Sequence, residues 1–240
     1  MSEILKKLNV QIYADGADLG KIIELNNNDL VKGFTTNPSL MAKSGIKDYE
    51  KYSNEILSYI KDKPVSFEVF GDDDAEIVEQ GEKISSWGKN VFVKVPIINS
   101  KGASTKNSIK KLISKNINLN ITAIFTKDQV LNILDVINCE SQVILSIFAG
   151  RIADAGVDPE SIIREISNVT KNLDNVKILW ASFRETYNIF QANRSNCHII
   201  TIDYAKFNKF DLIGKNLEEY SKETVQMFLN DATSSKFNIS

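Results

Sequence analysis

A lysine stands alone inside an apolar run. Lys94 lies within Val91-Phe92-Val93-Lys94-Val95-Pro96-Ile97, with no polar neighbour in sequence. Strand alternation puts Phe92, Lys94 and Pro96 on one face, with Val93 and Val95 on the other. A charged amine buried there costs several kcal/mol unless it is paired or uncharged. Burial favours the neutral amine, and a neutral amine is a nucleophile toward a carbonyl carbon. The same position also suits a lysine that reaches a rim, or one that pairs with Glu68 as structure.

Other polar residues stand in or just after similar runs. Asp15 follows the run 10–14, Thr35, Thr36 and Asn37 close the run 31–35, and Glu68 lies in 65–70. Asn120 and Thr122 lie in 119–125, Ser146 in 142–148 with Arg151 beyond it, and Ser182 in 177–183 with Arg184 beyond it. An ion pair with Lys94 accounts for one of Asp15 and Glu68, not both. The chemical reading is one carboxylate that moves protons and one that orients a water. Asp15 also suits a turn or helix cap, a task that nearby Asp18 could perform instead. Arg151 and Arg184 carry forks suited to phosphate oxygens, with solvated surface pairs as the alternative. Cys197 and His198 are adjacent on one run, so they face opposite ways and are structural. Trp87 and Trp180 are core residues.

These residues need a scaffold that brings run ends together. Eight short, β-branched runs recur at 10–14, 31–35, 65–70, 91–97, 119–125, 142–148, 177–183 and 197–202. Most are near-continuous, as for parallel strands buried on both faces. Helical spacing appears between them, in Tyr49, Tyr52, Ile56, Leu57 and Ile60, in Val130, Leu131, Leu134 and Ile137, and in Ile162, Ile163, Ile166 and Val169. Helix starts are predicted at Ser39 after Asn-Pro, at Thr126 followed by Asp128, and at Asp158 with Pro159 just inside. Eight βα units in about 250 residues fit a (β/α)8 TIM barrel, whose chemistry sits at the C-terminal strand ends. The alternative, a doubly wound open sheet, predicts a glycine-rich phosphate turn after the first strand. Ala14-Asp15-Gly16-Ala17-Asp18 is not that turn. With no Pro/Gly/Ser-rich linker, residues 1–240 are read as one domain. The barrel spans about 10–215, and an amphipathic helix at 217–231 either covers it or reaches a neighbouring subunit.

Composition narrows the function classes. The 240 residues carry 29 Lys+Arg against 31 Asp+Glu, a net charge of −2 with no basic run, which argues against a nucleic-acid partner. Hydrophobic residues at 42% and charged residues at 25% exclude a disordered chain. Two distant cysteines, Cys139 and Cys197, and one histidine cannot assemble a zinc site by spacing. The start MSEILKKLN lacks the apolar core of a signal peptide, and no apolar run approaches a membrane span. The simplest setting is reducing and cytoplasmic.

Five segments then point further. Gly33-Phe-Thr-Thr-Asn-Pro-Ser-Leu40, Val93-Lys-Val-Pro96, Leu119-Asn-Ile-Thr122 with Ile124-Phe-Thr126, Ser146-Ile-Phe-Ala-Gly-Arg-Ile152 and Ala181-Ser-Phe-Arg184 occur in this order. The chain resembles the transaldolase family, Schiff-base aldolases on a (β/α)8 barrel, and the resemblance runs from residue 10 to about 202. It implies Lys94 as the Schiff-base lysine, Asp15 as the proton carrier at the C4 hydroxyl, and Glu68 with Thr122 as holders of a catalytic water. It implies Asn37 and Asn120 as ligands of the dihydroxyacetone hydroxyls, with Thr35 and Ser146 nearby, and Arg151, Ser182 and Arg184 as the phosphate site. No metal or organic cofactor is implied.

The activity implied is movement of a dihydroxyacetone unit from fructose 6-phosphate to erythrose 4-phosphate, in the non-oxidative pentose phosphate pathway. The chain is short, like transaldolase-like aldolases that release free dihydroxyacetone and assemble through a C-terminal helix. Those often carry Gln where Glu68 stands and Tyr where Phe148 stands. The site residues thus resemble the transferases, the length resembles the aldolases, and a homo-oligomer is expected. A fructose-6-phosphate aldolase and a non-catalytic sugar-phosphate-binding barrel are the alternatives.

Overall fold

Eight parallel strands pair in chain order and close into a barrel. They are β1 (Gln11–Asp15), β2 (Val31–Thr35), β3 (Val65–Glu68), β4 (Val91–Pro96), β5 (Leu119–Ile124), β6 (Val143–Ile147), β7 (Val176–Trp180) and β8 (Ile199–Asp203). Because β1 pairs with both β2 and β8, the open sheet is excluded. The computed structural model describes residues 3–235 and 237; residues 1, 2, 236 and 238–240, the ends of the expected 1–240 domain, lie outside the described residues.

Helices fill the crossovers. A short α1 (Glu3–Lys6) precedes the barrel. Then come α2 (Leu19–Asn26), α3 (Pro38–Lys43), α4 (Tyr49–Tyr59), α5 (Asp74–Ser85), α6 (Lys106–Ile113), α7 (Lys127–Leu131), α8 (Ala149–Asp154), α9 (Pro159–Thr170) and α10 (Tyr187–Arg194). The last helix, α11 (Leu217–Ser234), runs three residues beyond the predicted end and has no buried residue, so it does not cover the barrel. Among the described residues no helix is long and apolar enough to cross a membrane.

Side-chain caps set most helix starts. Asp18 accepts from Lys21 N, the task that leaves Asp15 available. The cap of α3 is Asn37, not Ser39: its Oδ1 accepts from Leu40 N at 3.0 Å, and Pro38 fills the first turn, where no N–H is needed. Thr126 caps α7 in a reciprocal box with Gln129 rather than through Asp128. Asp158 caps α9, as expected.

Strand and helix patterns hold with local corrections. The runs 65–70, 142–148 and 177–183 overshoot their strands by one to three residues at the C-terminal end. There the apolar residues serve loops, and Phe70 is exposed. The pattern at 130–137 divides between α7 and a 3₁₀ turn at Leu134–Val136, and Leu131 and Val169 are exposed.

Two apolar layers position the polar belt. The outward strand faces, among them Phe67, Val93, Val95, Ile121, Leu145 and Ile178, are fully buried under the helices. Inside the barrel a smaller cluster of Tyr13, Ile144, Leu179, Ala181 and Ile199, with Phe92 and Phe148 against it, forms the floor. One position higher on several strands the inward residues turn polar. Lys94 pairs in register with Glu68 on one side and Asn120 on the other, and Asp15 pairs with Thr35 and Asp203.

Gly33 makes room for the floor. A Cβ there would lie 2.6 Å from the Tyr13 ring. Gly33→Ala should therefore destabilise the fold by about 1–3 kcal/mol through overpacking. Adding Tyr13→Leu should recover part of the loss. The midpoints of urea unfolding of the two variants measure this.

Candidate active site

The C-terminal ends of the strands surround a cavity of about 200 Å³. Asp15, Thr35, Asn37, Lys94, Thr122, Ser146, Phe148, Arg151 and Ser182, all singled out in the sequence, line it together with Ala181 and Thr201. The aliphatic wall on β4 and the alternation of the strand deliver Lys94 inward, where it is 8% exposed.

Lys94 Nζ lies 3.0 Å from Glu68 Oε2 and donates to Thr36 O at 3.1 Å. The pairing of Lys94 with Glu68 raised by the sequence is therefore present, and it coexists with an amine at the cavity wall. Asp15 Oδ1 accepts from Thr35 Oγ1 at 2.7 Å, and Thr35 Oγ1 lies 2.5 Å from Thr201 Oγ1. Burial raises the Asp15 carboxyl above the ordinary aspartate range, while the Lys94 charge and the Thr35 hydroxyl pull it back.

The β5–β6 side supplies hydroxyls and an amide. Ser146 Oγ donates to Asn120 Oδ1 at 2.6 Å, and Asn120 Nδ2 donates to Ser66 Oγ at 3.0 Å. Asn120 is fully buried beneath the cavity rather than among its lining residues. Thr122 Oγ1 is buried without a protein partner, a position suited to a water or a substrate hydroxyl. A bulge between Ile121 and Ile124, with Ala123 at φ 58°, flanks Thr122.

The other wall holds the anion candidates. Arg151, on α8, lies with its guanidinium carbon 5.4 Å from the Phe148 ring centroid. Ser182 adopts φ 66°, a left-handed conformation that turns the chain over α8. Its carbonyl sits so close to Gly150 that a Cβ there would lie 1.6 Å from the oxygen. Arg184 departs from the expected arrangement. It is not among the cavity's lining residues, and its fork is closed on Asp154, with Nε 3.0 and 3.1 Å from the carboxylate oxygens and Nη2 2.5 Å from Oδ2. A carboxylate three residues beyond Arg151 matches that fork as well as a phosphate does.

Cys197, His198 and Trp180, read as structural, are not among the cavity's lining residues. Cys197 is buried, and His198 Nδ1 accepts from Ile178 N at 3.0 Å, so both are structural. Trp180 is buried in the core. Sequence reasoning missed Thr201 and Ser66. Each is a hydroxyl at an inward strand position with an apolar residue on either side, the same signal that exposed Lys94. Among the described residues no group of three His, Cys, Asp or Glu side chains could hold a metal ion.

Known proteins resemble this chain in sequence and in fold. The pattern of the family described as Transaldolase/Fructose-6-phosphate aldolase matches residues 12–239. The protein named "Probable transaldolase" from Thermoanaerobacter sp. (strain X514) is 32% identical over 196 residues, covering 81% of this chain and 86% of that one. The like-named protein from Clostridioides difficile (strain 630) is 31% identical over 218 residues, covering 89% and 96%. Among solved structures, orotidine 5'-monophosphate decarboxylase from Metallosphaera sedula shares the fold at a TM-score of 0.54 and 10% identity, covering 90% of this chain and 97% of that one.

The raised Asp15 carboxyl has a stability consequence. A carboxyl that titrates higher when folded makes its ionised form costly in the native state. That cost is fully present above the folded-state pKa and vanishes below the ordinary aspartate value of 3.8. Asp15→Asn keeps an acceptor for Thr35 and removes the charge. It should melt higher than the unaltered protein at pH 7, with the gap closing as pH falls toward 4. Thermal unfolding across that range is the check.

Proposed function

The chain belongs to the transaldolase/fructose-6-phosphate aldolase family and is an enzyme of the transaldolase type; from that premise we propose that it moves a dihydroxyacetone unit between sugar phosphates through a Schiff base on Lys94. The observation that carries the proposal is the Lys94 amine at the wall of a polar cavity, 3.0 Å from Glu68.

The proposed steps are these. Lys94, once it has given up a proton, attacks the C2 ketone of fructose 6-phosphate. Glu68 is placed to take that proton, and with a water on Thr122 it returns one as hydroxide leaves C2, giving an iminium and water. Asp15 takes the proton of the C4 hydroxyl. The C3–C4 bond breaks, its electrons enter the iminium to form an enamine, and glyceraldehyde 3-phosphate departs. The enamine then adds to the aldehyde carbon of erythrose 4-phosphate, whose new hydroxyl takes its proton from Asp15. Hydrolysis frees sedoheptulose 7-phosphate and regenerates Lys94. Asn37, Thr35 and Ser146 line the cavity around the three-carbon unit, Asn120 beneath them holds Ser146, and the lysine is both anchor and electron sink.

Phe148 favours transfer over release of free dihydroxyacetone. It lines the cavity, and its ring can donate no proton to the waiting enamine. The exposed apolar residues of α11, among them Val225, Phe228 and Leu229, support a homo-oligomer in which this helix meets another copy.

Borohydride added during incubation with fructose 6-phosphate should fix a reduced three-carbon unit on Lys94, located by peptide mass spectrometry. Trapping on another lysine, or full activity of Lys94→Ala, would sink the mechanism. Rapid release of dihydroxyacetone without an acceptor would make the chain an aldolase instead. Trapping with no turnover of any donor would leave a binding barrel.

The anion wall yields a second expectation. Arg151 faces the cavity, whereas Arg184 can reach a phosphate only by exchanging Asp154 for it. Arg151→Ala should weaken phosphorylated substrates roughly ten- to a hundredfold, the loss of about 1.5–3 kcal/mol expected for a charged hydrogen bond. Arg184→Ala should weaken them less, and neither should affect dihydroxyacetone as donor to the same extent. Steady-state KM values for each substrate class decide it.

A further inference from the structure

The strand that carries Glu68 keeps its β4 partner there but loses its β2 partner where Glu68 stands. Phe34 N donates to Pro64 O and Thr36 N donates to Ser66 O, two successive rungs between β2 and β3. Extending that parallel pattern by two residues calls for Glu68 N to donate to Thr36 O, and for the N–H of residue 38 to donate to Glu68 O. Residue 38 is proline and has no N–H. β2 ends at Thr35, and the chain turns into α3. Both backbone groups of Glu68 would be left without partners in a part-buried site.

One hydroxyl answers both. Tyr49 Oη, from the first turn of α4, accepts from Glu68 N at 2.8 Å and donates to Glu68 O at 3.1 Å. The Thr36 carbonyl, relieved of its rung, is the oxygen that accepts from Lys94 Nζ. The Tyr49 ring is fixed separately, edge-on to Phe67 and Phe70 and tilted against Trp87.

We propose that Tyr49 is a positioning residue for the reaction: its hydroxyl stands in for the missing rungs of β2, aims the Glu68 carboxylate at Lys94, and releases the Thr36 carbonyl to hold the amine. This rests on the role given to Glu68 under the proposed function. The steps that use Glu68 are loss and return of water at C2, so Tyr49 acts on imine formation and hydrolysis rather than on substrate affinity. Tyr49 is not among the cavity's lining residues, so the phenol acts through Glu68.

The test is a double-mutant cycle of Tyr49→Phe and Glu68→Gln, with a thermal melt of each variant. Tyr49→Phe keeps the ring contacts and removes only the hydroxyl. It should lower kcat and the rate of borohydride-trappable imine formation on the order of ten- to a hundredfold, as for a small misplacement of a reacting group, with KM for fructose 6-phosphate nearly unchanged. In the Glu68→Gln background the same change should have little further effect. Equal losses in both backgrounds, or a change confined to KM, would overturn the proposal. If Glu68→Gln itself retains full activity, the role of Glu68 fails first, and the two failures are thereby distinguished. Hydrogen exchange in the unaltered protein gives a reading independent of any variant: the Glu68 amide should be protected like the strand amides around it, and rapid exchange there would also overturn the proposal.

Discussion

The ion pair between buried Lys94 and half-buried Glu68 is the interaction on which the site depends. Two charges on adjacent strands lie within an interior otherwise floored by Tyr13, Phe92, Ile144, Leu179 and Ile199. Such a pair contributes little net stability, but losing one partner typically costs about 3–5 kcal/mol because the other is stranded. It persists because register fixes it: Glu68 and Lys94 are directly paired residues of β3 and β4. The barrel thus holds an amine and a carboxylate together at low dielectric, where electrostatic interactions are strongest.

Around that pair the structure divides labour by height. Below, inward side chains are apolar and fill the barrel. At the level of Lys94 they become hydroxyls, amides and carboxylates, linked in two sets: Asp15 with Thr35 and Thr201, and Ser146 with Asn120 and Ser66. Above, α8 and the segment after β7 are fastened together by the Gly150–Ser182 contact and the Arg184–Asp154 pair. Strain at Ser182 and the bulge at Ala123 both sit next to cavity residues, where backbone distortion serves to aim side chains.

Much of this was legible because strand burial is so regular. Where the adjacent residues are Val, Leu or Ile, a single Lys94, Asn120 or Ser146 is conspicuous, and alternation alone says which way it faces. Less legible were features that depend on non-local geometry. The carboxylate of Asp154 looks like any helix residue until the turn at Ser182 brings Arg184 onto it. Asn37, read as a substrate ligand, is also the cap of α3, a role that Ser39 suits equally by type. Tyr49 belonged to a helical apolar stripe, and nothing in that periodicity says that its hydroxyl meets a strand. Helix α11 displayed its amphipathic pattern plainly, yet the pattern cannot distinguish a helix against its own barrel from one pointing away.

Closure between the first and last strands has a consequence for how the molecule comes into being. The Thr35 and Thr201 hydroxyls that support Asp15 are 166 residues apart in sequence. On a ribosome, β1 and β2 emerge early and wait for β8 with one edge of backbone N–H and C=O groups unpaired. Contacts of such long range slow folding, because chain entropy is lost before they can form. The pocket is therefore the last region to mature, completed only when the final strand is laid against the first. A chain interrupted before residue 199 offers neighbouring nascent chains a sticky β edge in place of an enzyme.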